Sequence, residues 1–144
     1  METGLHRAIY RNCPDAKAVI HAQPFYSTLV ACTDLAIRTD CLPEAMAYLG
    51  VVGRVPYHHA GSLKLAEETS KSVRSRRIVF LNNHGVVCWG SSLNECVMMT
   101  ETLEFLCRLV ITAKSAEVNL KYLGKGVMDD FIKDLASRRE PILP

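Results

Sequence analysis

The chain has 144 residues, 49% hydrophobic and 22% charged, enough for one α/β or α+β domain with a real core and too few for two full domains. A formal charge of +2 speaks against a dedicated nucleic-acid binder, which gathers Lys and Arg into one strong patch. No stretch reaches the roughly eighteen apolar residues of a membrane span, and residues 1–7 lack the apolar centre of an export signal, so a soluble, cytoplasmic protein with no membrane partner is expected. The six cysteines, Cys13, Cys32, Cys41, Cys88, Cys96 and Cys107, form no Cys-x-x-Cys pair and read as reduced core thiols.

In chain order, Leu5, Ala8 and Ile9 have helical spacing, and Pro14-Asp15 ends that helix. Ala18 to Ala22 is a β-branched run between turn formers, the pattern of a buried strand. Pro24 and Pro43 each sit where a short helix can begin. Val55-Pro56-Tyr57 fits an edge strand, because proline cannot donate to a central ladder. Ser62 can cap a helix carrying Leu63, Leu65, Ala66, Thr69 and Val73. Arg74, Arg76 and Arg77 form a solvated loop before Ile78–Leu81, the strongest strand; Asn82-Asn83-His84-Gly85 turns the chain into a returning strand over 86–89. Ser92 and Glu95 match a reciprocal capping box. The helix they open is predicted to run from Leu93 to Leu123, with Gly124 as its stop; its three-four spacing is that of a core helix rather than a dimerising coil. A last helix over 127–136 and a flexible tail over 137–144 complete a single domain covering 1–144.

Two histidines stand at strand ends, His21 after a buried strand and His84 in the turn after the strongest one. Imidazoles at the ends of two strands of one sheet can share a divalent metal. A lone buried histidine is more often a hydrogen-bonded structural residue than a ligand, and spacing alone does not bring these two together. Glu2 adds a carboxylate able to serve as ligand or general base.

The ordered set Glu2-x3-His6-x2-Ile9-Tyr10, Pro14-Asp15-Ala16-Lys17-Ala18-Val19-Ile20-His21, Val55-Pro56-Tyr57 with Gly61-Ser62, and Asn83-His84-Gly85-Val86-Val87 with Gly90 and Glu95 closely resembles the class II aldolase and adducin head-domain family. The resemblance covers roughly residues 2 to 115. It implies a three-layer α/β domain with a largely antiparallel central sheet flanked by helices. It further implies a zinc-type ion held by three histidines, two of them from a His-x-His strand, and a glutamate as proton shuttle. Carried over position by position, His21 is the first ligand, His84 the last, and Glu2 the acid/base. The implied activity is that of a lyase or epimerase acting on a small sugar phosphate through a metal-stabilised enediolate, in a homo-oligomer, by resemblance a tetramer.

Two features depart from the family pattern. The strand reads His21-Ala22-Gln23, so an amide stands in place of the second imidazole. Gln23 is a weak ligand that suits zinc poorly and manganese or magnesium better; His58 or His59 could compensate. Family enzymes carry a segment ahead of the glutamate, with Gly- and Ser-rich loops for the substrate phosphate, that has no counterpart in these residues; the domain is therefore expected to be N-terminally incomplete, either as a piece of a longer protein or as a short form with an incomplete site, and its substrate-binding residues are unknown. Tyr48, Tyr57 and Tyr122 are the tyrosines available as proton donors. The alternative is a non-catalytic, adducin-like scaffold that kept the fold and lost the full metal site.

Overall fold

The computed structural model describes residues 2–138. Its elements are α1 (Thr3–Asn12), β1 (Ala18–Ala22), α2 (Phe25–Ala31), α3 (Pro43–Leu49), β2 (Gly53–Val55), α4 (Leu63–Ser72), β3 (Ile78–Leu81), β4 (Gly85–Gly90), α5 (Leu93–Ser115) and α6 (Lys125–Ser137). The tail expected over 137–144 lies outside the described residues from position 139 on.

The four strands form one sheet in the order β1-β4-β3-β2. The β1–β4 and β4–β3 pairings are antiparallel, so the sheet is largely antiparallel as expected, and the parallel β2–β3 pair makes it mixed. The physical reason is the connection between β2 and β3. It passes through α4, and a helical crossover returns the chain in the same direction, whereas the short turn between β3 and β4 must reverse it. β2 occupies an edge as expected but lies earlier, over Gly53–Val55 instead of Val55–Tyr57, because Pro56, with no N–H, could not extend the ladder.

Alternation along the strands sorts the core into two layers. Ala18, Ile20, Ile78, Phe80, Val86 and Cys88 pack toward α2, α3 and α5. Val19, Val79, Leu81 and Val87 pack toward Leu5 and Ile9 of α1 and Leu65 of α4. Helices on both faces of one sheet give the three-layer arrangement expected. α5 contributes Cys96, Met99, Leu103, Leu106, Cys107 and Val110 as a continuous buried stripe, the core-helix pattern its spacing predicts. Burial pushes the Cys107 thiol up to about 12, which keeps it a neutral filler of that stripe. All six cysteines are free, but Cys32, at the end of α2, is exposed rather than a core thiol, and Cys41 is half-buried.

Three local expectations change. α5 stops at Ser115 instead of Leu123. Val118 N–H donates to Ala113 O at 2.9 Å and Glu117 N–H to Lys114 O at 3.1 Å, while Glu117 takes a φ of 56°. This is a Schellman-type end with a glutamate where glycine is usual. Gly124 therefore opens α6 rather than closing α5. The capping box is half as drawn: Ser92 Oγ accepts from Glu95 N–H, but the Glu95 carboxylate accepts from Ser91 N–H and Ser91 Oγ, one residue earlier.

Candidate functional site

The site grows from strand alternation. His21 shares the face of Val19, the face that meets α1, and its register partner on β4 is Val87. On α1, Leu5 and Ile9 point into that layer, and Glu2 and His6 form a second stripe one helical turn apart. His84 arrives from the other direction, as the last residue of the three-residue turn between Leu81 and Gly85.

That turn is held tightly. Asn83 adopts a φ of 55°, a conformation asparagine tolerates better than most residues, and its N–H donates to Ala31 O at 2.9 Å. Asn82 N–H donates to Val55 O, and His84 N–H closes the turn on Leu81 O, each at 3.0 Å. Arg54 uses all four terminal N–H groups: Nη1 donates to Thr33 O and Asn82 Oδ1, and Nη2 to Val30 O and Leu35 O, at 2.9 to 3.3 Å. A cation at these carbonyls also suits the C-terminal end of α2. Gly85 cannot carry a side chain, since a Cβ there would lie 2.6 Å from Ala22 O and 3.0 Å from Gln23 Cγ. The other end of α2 is served by α5, whose Glu104 carboxylate accepts from Tyr26 N–H, Ser27 N–H and Ser27 Oγ at 2.8 Å each.

The outcome is an edge-on pair of imidazoles, His21 and His84, with ring centroids 4.7 Å apart and planes 78° from parallel. His21 Nδ1 lies 2.9 Å from Val86 O. A carbonyl can only accept, so Nδ1 carries the proton and Nε2 is left with a free lone pair, the arrangement by which a backbone group fixes the tautomer of a ligating histidine. Burial, reinforced by the field of His21, lowers the pKa of His84; Glu2 opposes the shift. The same causes act on His6. Neutral imidazoles are the form that binds a cation. Glu2 sits at the start of α1 without capping it, and its Oε2 is buried with no hydrogen-bond partner.

Gln23, at the position of the expected second imidazole, donates its amide nitrogen to His84 O at 2.6 Å. His59 pairs with Tyr57, with Nδ1 and Oη 3.2 Å apart in the loop after β2. Tyr122 lies under the Arg38 guanidinium, 4.3 Å from ring centroid to Cζ. Among the described residues no three His, Cys, Asp or Glu side chains gather into a ready-made metal set. What the structure brings together is a pair of imidazoles, with a Glu2 carboxylate oxygen left unpartnered at the start of α1; two imidazoles fall short of a closed structural site and leave coordination positions open. His6 enters the sequence reading only as part of the motif Glu2-x3-His6, with no role given to it, and Arg54 does not enter it at all.

Comparison with known proteins identifies the family. The family model described as "Class II Aldolase and Adducin N-terminal domain" matches residues 1–111. An L-fuculose phosphate aldolase of Methanocaldococcus jannaschii is 40% identical over 110 residues, covering 76% of this chain and 59% of that protein. A 3-oxo-tetronate 4-phosphate decarboxylase of Haemophilus influenzae is 33% identical over 141 residues, covering 95% of this chain and 64% of that one. The solved structure of YgbL from Klebsiella pneumoniae, described as an aldolase/epimerase/decarboxylase, superposes with a TM-score of 0.80 at 31% identity, covering 93% of this chain and 64% of that one. The chain thus spans about three fifths of the length of these proteins. Among the described residues no helix is long and apolar enough to cross a membrane.

Proposed function

The chain belongs to the Class II Aldolase and Adducin N-terminal domain family, and from that premise we propose that it carries the cation and proton-transfer centre of a lyase acting on a small sugar phosphate. The observation that supports this reading most strongly is the edge-on His21–His84 pair beside a buried, unpartnered Glu2 oxygen. A carboxylate left without a partner at such a place is costly unless a ligand or a reacting group completes it.

In this reading His21 and His84 hold a divalent cation, zinc first and manganese or magnesium as alternatives, and Gln23 adds at most a weak neutral oxygen. When bound, such a cation supplies Lewis acidity that polarises a substrate carbonyl. Val86 O keeps the proton of His21 on Nδ1, which leaves the lone pair on Nε2. Glu2 exchanges a proton with the substrate, taking or returning it as a bond to the carbon next to the carbonyl breaks or forms. Its place on the first turn of α1 keeps the carboxylate on the same side of the sheet as His21. Both the cleavage named for the Methanocaldococcus jannaschii protein and the decarboxylation named for the Haemophilus influenzae protein leave negative charge beside a carbonyl, so one centre suits either chemistry. A homo-oligomer, by resemblance a tetramer, belongs to the same proposal; a gel-filtration mass equal to that of a monomer would contradict it.

A second reading, a scaffold that kept the fold and lost the reaction, is favoured by one observation: Gln23 faces a backbone carbonyl where a third imidazole would stand. Metal analysis of protein purified without chelator, followed by assays of aldol cleavage and decarboxylation on sugar phosphates, separates the two. Stoichiometric metal with turnover that His84→Ala removes supports the lyase. Metal-free protein that takes up neither zinc, manganese nor magnesium leaves the scaffold.

A further inference from the structure

Gln23 sits one residue past the last β1–β4 pairing and is exposed, yet it makes one of the shortest hydrogen bonds around the site, 2.6 Å from Nε2 to His84 O. Chemistry fixes which end of the amide lies there. A carbonyl repels another oxygen, so the NH2 group must face it. We propose that Gln23 is a positioning residue: it ties the carbonyl of His84 to the end of β1 and thereby sets the His84 ring edge-on to His21, taking no part in holding an ion. The inference rests on the reading that these two imidazoles are the cation site.

Three observations converge on it. First, the ties on the turn divide by residue. Arg54 holds the Asn82 side chain, Ala31 O holds Asn83 N–H, and His84 is gripped on both sides of its Cα, by Leu81 O at its N–H and by Gln23 at its carbonyl. The ring-bearing residue is the one Gln23 serves. Second, the stem of Gln23 lies over Gly85, where a Cβ would come within 3.0 Å of Gln23 Cγ; the missing side chain makes the room through which the amide reaches back to the turn. Third, His21 is fixed by the same strand pair through Val86 O, so both rings take their orientation from β1–β4 contacts a few residues apart. A change in the Gln23 bond is therefore passed to the angle between the rings and not to the core.

The test uses the full chain with Gln23→Glu and Gln23→Met, two side chains of similar length that lack the N–H donor. Ring resonances of the histidines in metal-free protein at pH 8 are recorded first, then uptake of Zn2+ and Mn2+ by calorimetry. The proposal expects both variants to move the His84 and His21 ring resonances and to leave those of His58 and His59 in place. Both should weaken cation uptake alike, by the roughly 10–100-fold typical of losing a group that orients a ligand. Tighter uptake in Gln23→Glu with weaker uptake in Gln23→Met would overturn the proposal and make Gln23 a ligand. Unmoved ring resonances in both variants would overturn it and make Gln23 a bystander. If the unaltered chain takes up no cation, the lyase reading fails, and the ring resonances alone still decide the role of Gln23.

Discussion

The turn that presents His84 and the helix α6 both lie at the edge of the core, and they are held in opposite ways. The turn is tied by hydrogen bonds to Gln23 just past β1, to Val55 and Arg54 of β2, to Leu81 of β3 and to Ala31 at the end of α2; Arg54 gives it one bond and uses three more on the carbonyls of Val30, Thr33 and Leu35. α6 buries no residue; it leans on α3 and is moored at its start, where Asp40 Oδ2 accepts from Gly124 N–H and Asp40 O from Leu123 N–H, both at 2.8 Å. Arg38 braces that mooring, with Nη2 2.6 Å from Asp40 Oδ2. Polar ties converging from several strand ends give a side chain one orientation, whereas a helix laid on the surface and held chiefly at its first turn can detach without disturbing the core.

The contrast predicts a graded series of effects. His84→Ala should remove more turnover than the roughly 10–100-fold lost with an outer partner, at nearly unchanged melting temperature, because the ring is half-buried and its backbone ties remain. Arg54→Met should cost about 1–3 kcal/mol in chemical denaturation, since it strips donors from three carbonyls and from Asn82, and amide exchange at Asn83 should quicken. Asp40→Ala should act locally: protease cleavage between Ala116 and Gly124 should rise while the denaturation midpoint of the sheet and α5 moves little. Arg38 holds the Asp40 carboxyl below the usual carboxylate range. Its contribution is therefore present above that range and lost as pH falls through the lowered folded value, so acid should release α6 ahead of the core. The smallest effect concerns His84 and His6. Their pKa values are lowered in the folded chain, so the unfolded chain binds protons more readily; stability should be full above pH about 6.5 and decline gently as pH falls below it, most visibly at low salt.

Most of the framework was legible because its signals are local. β-Branched runs marked β1 and β3, Pro24 and Pro43 marked helix starts, and Ser62 caps α4 through Leu65 N–H at 3.1 Å. The end of α5 was not legible, because apolar Val118, Leu120 and Leu123 continue its pattern and Glu117 turns the chain where a glycine would have announced it. At the site, Glu2, His21 and His84 could be named from their order along the chain. The strand alternation that puts His21 on the α1 face explains why His6 joins them. Arg54 could not be foreseen, since its acceptors are main-chain oxygens at positions 30, 33 and 35 and a turn amide at 82, brought together only by the fold.

The central claim is that His21 and His84 form one cation site on this chain. Calorimetric titration of the chain and of His84→Ala with Zn2+ and Mn2+ at pH 8 tests it most directly. One cation per chain, lost in the variant while the fold persists, is the result predicted; no uptake, or uptake indifferent to His84→Ala, would contradict it.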